Sequence, residues 1–158
     1  MKLTLAPFIK APSLGIMFGM EEPKSPEEKQ EEINEENAEK VALQTIDGFC
    51  SYLYKVYMLV KFYHLNSNSY AIHKHLQGLY DELDELIDTL VESSQNESKM
   101  KLEIEEIEME TDVLSFLREA MQKVCDNRNV FPLTHQQSQI DLIVTSLSQT
   151  IYKVTFLN

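Results

Sequence analysis

Residues 62–92 read FYHLNSNSYAIHKHLQGLYDELDELIDTLVE. Two helices and the turn between them are written in this stretch. His64 ends an apolar-periodic segment, and Leu65-Asn66-Ser67-Asn68-Ser69 is a short polar connection in which Asn68 or Ser69 can cap the helix that follows. Beyond it, Ile72, Leu76, Leu79, Leu83, Leu86 and Leu90 form the apolar stripe of a helix that runs to about Glu92. A connection this short requires the two helices to lie antiparallel.

Working upstream, Ala42, Ile46, Phe49, Leu53, Val56 and Val60 step by three and four and predict a first helix from about Glu35 to Leu65, with His64 next along the same face. Downstream, Ser93–Glu110 is polar and long enough for an excursion, although Leu102, Ile104 and Ile107 could extend the next helix backwards. That third helix is clearest from Thr111 to Asn127, with Val113, Leu114, Leu117, Met121 and Val124 inward. Pro132 breaks the chain. Thr134-His135-Gln136-Gln137 then fits a capping box, a Thr cap with a Gln three residues on. The fourth helix follows, with Ile140, Ile143, Val144, Leu147, Ile151 and Val154 on one side. Tyr152–Leu157 is β-branched and aromatic, which leaves the last turn open. The expectation is an all-α fold, a four-helix bundle over residues 38–158.

Two segments precede the bundle. Met1–Met20 is an apolar arm that Pro7, Pro12, Gly15 and Gly19 keep from being a regular helix. Residues 21–37 form an acidic linker with eight Glu and two Lys, which supplies −6 of the net charge of −12. An exposed apolar arm calls for a partner. Phe8, Ile9, Leu14, Ile16 and Phe18 are the expected docking residues, either on the chain's own bundle or a neighbouring subunit, or on another protein to which the arm is a tether.

The bulk composition excludes several classes. Across 158 residues, 14 Lys+Arg stand against 26 Asp+Glu. A general nucleic-acid binder needs clustered Lys and Arg to displace counterions, so no tight nucleic-acid binding is expected. No apolar run approaches the ~18 residues of a membrane span. The arm lacks a signal-peptide core, so the expected location is cytoplasmic or virion-associated rather than secreted. Cys50 and Cys125 are far apart and flanked by helical pattern, and both are expected to be buried free thiols. Glycine-rich phosphate loops and Ser-His-Asp groupings are absent.

The chemistry-bearing residues lie in the opening stretch. His64 near the end of one helix, His73 early in the next, and Asp88-x-x-x-Glu92 later on that helix resemble the signature segment of the Dps-like mini-ferritins. The intervals 88 − 73 = 15 and 92 − 73 = 19 are those of that family. The wording His-x-x-Ser-x-Ser-Tyr-Ala-x-His, followed by Tyr-Asp-Glu-Leu-x-x-Leu-Ile-Asp, also looks like a branch of small ferritin-like proteins encoded by tailed bacteriophages. The resemblance is strong over these 31 residues and only architectural elsewhere. It implies a ferritin-like bundle with one long crossover, and a homo-oligomer that is at least a two-fold dimer and in the family a twelve-subunit shell. It also implies a metal site of His64, His73, Asp88 and Glu92 that takes iron, with zinc or manganese as other candidates, and ferroxidase activity.

Geometry adds a condition. On a helix rising ~1.5 Å per residue, His73 and Asp88 lie roughly 22 Å apart, so one chain cannot bring them to one ion. Two copies of the helix packed antiparallel about a two-fold axis can. Three positions depart from the family: Gln77 replaces an Asp one turn after the second His, the interval 73 − 64 = 9 is shorter, and Leu65 replaces a Trp. Alternatives stay open for the same residues. His64 can be a hydrogen-bonded core histidine, His75 is expected at the surface, and the acidic run on the second helix can be a solvated face. A site within one chain would need Glu-x-x-His on two helices, and that motif is absent. The alternative function is a structural or virion-associated protein without ferroxidase activity, attached to a capsid or other protein by the arm.

Overall fold

The computed structural model of the chain describes residues 25–95, 99–103 and 112–157. The arm at 1–20, with the docking residues Phe8, Ile9, Leu14, Ile16 and Phe18, lies outside the described residues, as do Ile104 and Ile107. Among the described residues all regular structure is helical: α1 Pro26–Ala42, α2 Ile46–Asn66, α3 Tyr70–Ser94, α4 Val113–Asp126 and α5 Thr134–Phe156, with a single 3-10 turn at Arg128–Val130.

The expected first helix is two helices. The chain breaks after Ala42, and Thr45 restarts it, its hydroxyl accepting from the Gly48 amide at 3.1 Å as the N-cap of α2. The Thr45 hydroxyl donates in turn to the Ala42 carbonyl at 3.0 Å. A side chain at Gly48 would meet that same carbonyl oxygen, 2.1 Å from where its Cβ would stand. Glycine at 48 is therefore what lets the two helices join so closely. The acidic stretch is helical from Pro26 onward, and every α1 side chain that the structure describes is exposed. A Thr cap beside a Gly outweighs the apolar period that runs through Ala42 and Ile46, and Ala42 is correspondingly exposed rather than buried.

Helix directions follow from named contacts. The α2–α3 turn keeps those helices antiparallel, with Tyr54 bonded to Asp88 and His64 to His73. α3 and α5 are antiparallel, linked by Gln136 to Ser94 at one end and His75 to Leu157 at the other. α2 and α4 are antiparallel, through Gln44 with Asn127, Lys123 over the Tyr52 ring, and Tyr63 stacked on Phe116. α3 and α4 therefore point the same way. Between them, residues 101 and 103 lie against α2: the Lys101 amide donates to Asp47 and the Glu103 amide to the Ser51 hydroxyl.

The core is the union of the inner stripes. Phe49, Leu53, Val56, Val60, Leu76, Leu79, Leu83, Leu90, Leu117, Val124, Ile140, Ile143, Leu147 and Val154 are buried where the period predicts them. Ile72, Leu86, Val144 and Ile151 sit at its margin, and Ile87 is buried in addition. Each fully buried large aliphatic contributes about 1.5–3 kcal/mol, so this core dominates folding. Phe131, just before Pro132, is wholly buried and meets Phe49 edge-to-face at 5.3 Å, closing the end of the core where α2 begins.

Two further expectations are corrected. α5 begins without a capping box: Leu133 occupies the cap position, Thr134 is the first helical residue, and no side chain caps the helix. Gln137 instead donates to the Phe131 carbonyl and accepts from Arg128, each at 2.8 Å, while Arg128 grips Asp141 bidentately. The bend after α4 is thus tied down by a guanidinium rather than by a threonine. Of the cysteines, Cys50 is buried and Cys125 is exposed; both are free.

Candidate functional site: a stacked histidine pair beside an acidic helix face

The α2–α3 turn brings two of the four expected ligands together. Ser69 caps α3 through the Ile72 amide, and α2 ends at Asn66 with the Ser67 amide returning to the His64 carbonyl. This tight turn sets His64 and His73 side by side, ring centroids 3.8 Å apart and nearly parallel. The two residues bond each other twice. His64 Nδ1 lies 2.8 Å from the His73 carbonyl oxygen, and His73 Nδ1 lies 3.0 Å from the His64 carbonyl oxygen.

A carbonyl oxygen only accepts, so each Nδ1 must carry the hydrogen and donate it. In the neutral rings both Nε2 atoms then hold their lone pairs. That is the tautomer a histidine needs to ligate a metal through Nε2, fixed here by backbone oxygens. His64 is buried and His73 half-buried. The edge of Tyr80 meets His64 at 5.2 Å, and Lys61 lies over the Tyr80 and Tyr57 rings.

Asp88 and Glu92 are elsewhere. Both are exposed, one turn apart on α3, and fifteen and nineteen residues beyond His73. Within one chain they are roughly 22 Å and more along the helix from the histidines. Accordingly, no three His, Cys, Asp or Glu side chains gather to hold an ion among the described residues. Asp88 accepts from the Tyr54 hydroxyl at 2.9 Å. Burial first, and then the Asp88 carboxylate, push the Tyr54 phenol up to about 12. Gln77 accepts from Lys74 at 2.9 Å. His75 is half-buried, its Nε2 reaching the Leu157 carbonyl at 3.4 Å.

The α2 side of this seam holds residues that were not among the expected ligands. Tyr54, Tyr57, Lys61 and His64 recur at steps of three, four and three, a second stripe beside the core stripe. That periodicity was available as a signal, and it marks the residues that face His73, Tyr80 and Asp88. Near the other end of α2, a cavity of about 320 Å³ lies among Thr45, Asp47, Ser51, Tyr52, Lys55 and Lys101. It contains none of the expected ligands.

No helix among the described residues is long and apolar enough to cross a membrane. Neither the curated proteins nor the solved structures provide a match to the chain. The profile of one family, DUF5856, a family of unknown function, matches residues 64–154. The matched part opens on His64 and takes in α3, α4 and nearly all of α5, so it holds both histidines, Asp88 and Glu92. With that span covering more than half of its 158 residues, the chain belongs to the DUF5856 family of unknown function.

Proposed function

We propose that the protein is a Dps-like, ferritin-like four-helix bundle that works as a homo-oligomer and binds a divalent cation between two copies. The observation that carries this reading is the reciprocal hydrogen bonding of His64 and His73, which commits both Nδ1 atoms to the backbone and leaves the Nε2 of each neutral ring with its lone pair. The shared direction of α3 and α4 is the one a ferritin-like bundle requires.

The donor set fits an ion only when two chains supply it. One copy offers His64 and His73; Asp88 and Glu92 of a second copy, with α3 packed antiparallel about a two-fold axis, would offer the carboxylates. Imidazole mixed with carboxylate suits Fe(II), and also zinc or manganese. With iron, Fe(II) is the substrate, and its oxidation by oxygen or peroxide is the reaction the bound ion would undergo. The chain's own part is to hold lone pairs and negative charge in place: the backbone carbonyls fix the rings, and Tyr54 orients Asp88.

Anaerobic titration of the full chain with Fe(II), followed by oxygen or peroxide, tests the reading. Saturable binding and rapid growth of ferric absorbance are expected, both lost in His73→Ala and in Asp88→Ala. Binding no stronger than in the two variants would sink it. A second reading is favoured by the same hydrogen bonds, since they fasten α2 to α3 without any ion: a structural, virion-associated scaffold whose apolar arm attaches it to a capsid or other protein. On that reading His73→Ala lowers the melting temperature as much in chelator as in metal.

A further inference from the structure

The outward face of α5 carries an uncharged stripe. Residues 142–152, LIVTSLSQTIY, contain no charged side chain, in a protein where 25% of residues are charged and the net charge is −12. Part of this stretch is core, since Ile143, Ser146, Leu147 and Thr150 are buried. The other side is not. Leu142, Thr145, Gln149, Tyr152 and Phe156 are all exposed and recur at steps of three, four, three and four. Leu142 is 49%, Tyr152 56% and Phe156 70% exposed. The inner side of α5 is occupied by α3 and α4.

Of the stripe's two polar members, Gln149 presents an amide and Thr145 adds little polarity. The Thr145 hydroxyl donates to the Asp141 carbonyl at 2.8 Å, and the neighbouring Ser138 hydroxyl donates to Thr134 at 2.9 Å. Their donors are spent on the backbone one turn back, which leaves methyl and methylene surface outward. The Tyr152 and Phe156 rings already touch, centroids 5.3 Å apart. Apolar residues at alternating three and four spacing form the seam by which one helix packs along another. Loss of charge with gain of aromatics is what sets the centre of an interface apart from ordinary surface.

We infer that this stripe is a homotypic interface, on which α5 of a second copy packs antiparallel about a two-fold axis. The stripe is complementary to itself in that direction. The sums 142 + 152, 145 + 149 and 141 + 153 are equal, so in one register Leu142 meets the second copy's tyrosine, Thr145 its glutamine and Asp141 its lysine. Asp141 keeps about half of its side chain exposed while both of its oxygens accept from Arg128, so the second copy's lysine would join that pair. Each chain has net charge −12, and this face pairs with itself without setting carboxylate against carboxylate. The contact is separate from the histidine seam and needs no metal.

Sedimentation of the full chain in chelator is the test. The wild type sediments as a dimer or larger. Leu142→Glu and Tyr152→Glu, both outward-facing, each weaken that association roughly 30-fold or more with the helical circular dichroism unchanged. In a Cys125→Ser background, mixed Thr145→Cys and Gln149→Cys chains cross-link on mild oxidation, as the register requires. A chain that stays monomeric at its highest soluble concentration overturns the inference, as does an assembly whose mass neither glutamate alters. A glutamate that leaves the mass unchanged yet opens Met1–Met20 to protease also overturns it, and makes the arm of the same chain the occupant.

Discussion

At Gly48 the argument is a distance. A Cβ there would stand 2.1 Å from the Ala42 carbonyl oxygen, a backbone atom that cannot swing aside as the end of a flexible side chain could. Gly48→Ala is therefore expected to cost about 1–3 kcal/mol, measured as a drop in the denaturant midpoint. Gly78 is the control: nothing stands within 4 Å of its would-be Cβ, on an exposed helix position. Gly78→Ala is expected to stabilise by ~0.5–1 kcal/mol. If both variants lost stability alike, close approach at Gly48 would not be the cause. Cys50 and Tyr54 carry a pH dependence. Burial, with Asp47 second, pushes the Cys50 thiol from 9.0 to about 12, and Tyr54 rises from 10.0 to about 12. Both acids keep their protons longer in the folded chain than in the unfolded one. Stability from this source is complete below pH 9 and falls as the pH climbs toward 12. Cys50→Ala should remove the early part of that alkaline loss. In the native wild type, Cys125 should react with a thiol reagent at pH 8 and Cys50 should not.

The helices show how far local signals carry. Ser69 does what its position predicts, accepting from the Ile72 amide as the cap of α3. Ser69→Ala is expected to cost about 1 kcal/mol. Thr134, which fits the same kind of pattern, makes no cap bond, so Thr134→Ala should be close to neutral. A thermal melt of the two variants side by side decides it, and equal losses would contradict the structure. The difference was not legible in the sequence, because it depends on Arg128 drawing Gln137 away to the bend, a contact between residues nine apart. The core was legible, because burial follows the helical period and the period survives in Phe49, Leu76, Leu83, Ile140 and Leu147. The break at residues 43–45 was hidden by that same period, which runs on through Ala42 and Ile46 as though the helix did. The histidines were legible as a pair but not as a stack. Spacing places His64 and His73 on facing helices, while their mutual backbone bonds come from the turn geometry.

For the whole molecule the question is whether the expected site is completed by a second copy, and symmetry gives an answer that no single variant gives. In a two-fold dimer each site would take its histidines from one chain and its carboxylates from the other. His73→Ala alone spoils both sites, and so does Asp88→Ala alone. Mixing the two variants in equal amounts and letting subunits exchange makes half of the dimers mixed. In a mixed dimer one site carries both changes, but the other combines an intact His64–His73 pair with an intact Asp88–Glu92 pair. About a quarter of wild-type Fe(II) binding should therefore return on mixing, from two inactive proteins. A site wholly within one chain, or one that needs only the histidines, predicts no recovery at all. The 15-residue interval from His73 to Asp88 is what separates these outcomes, since it is too long for one chain to close and the right kind of distance for two antiparallel helices to share.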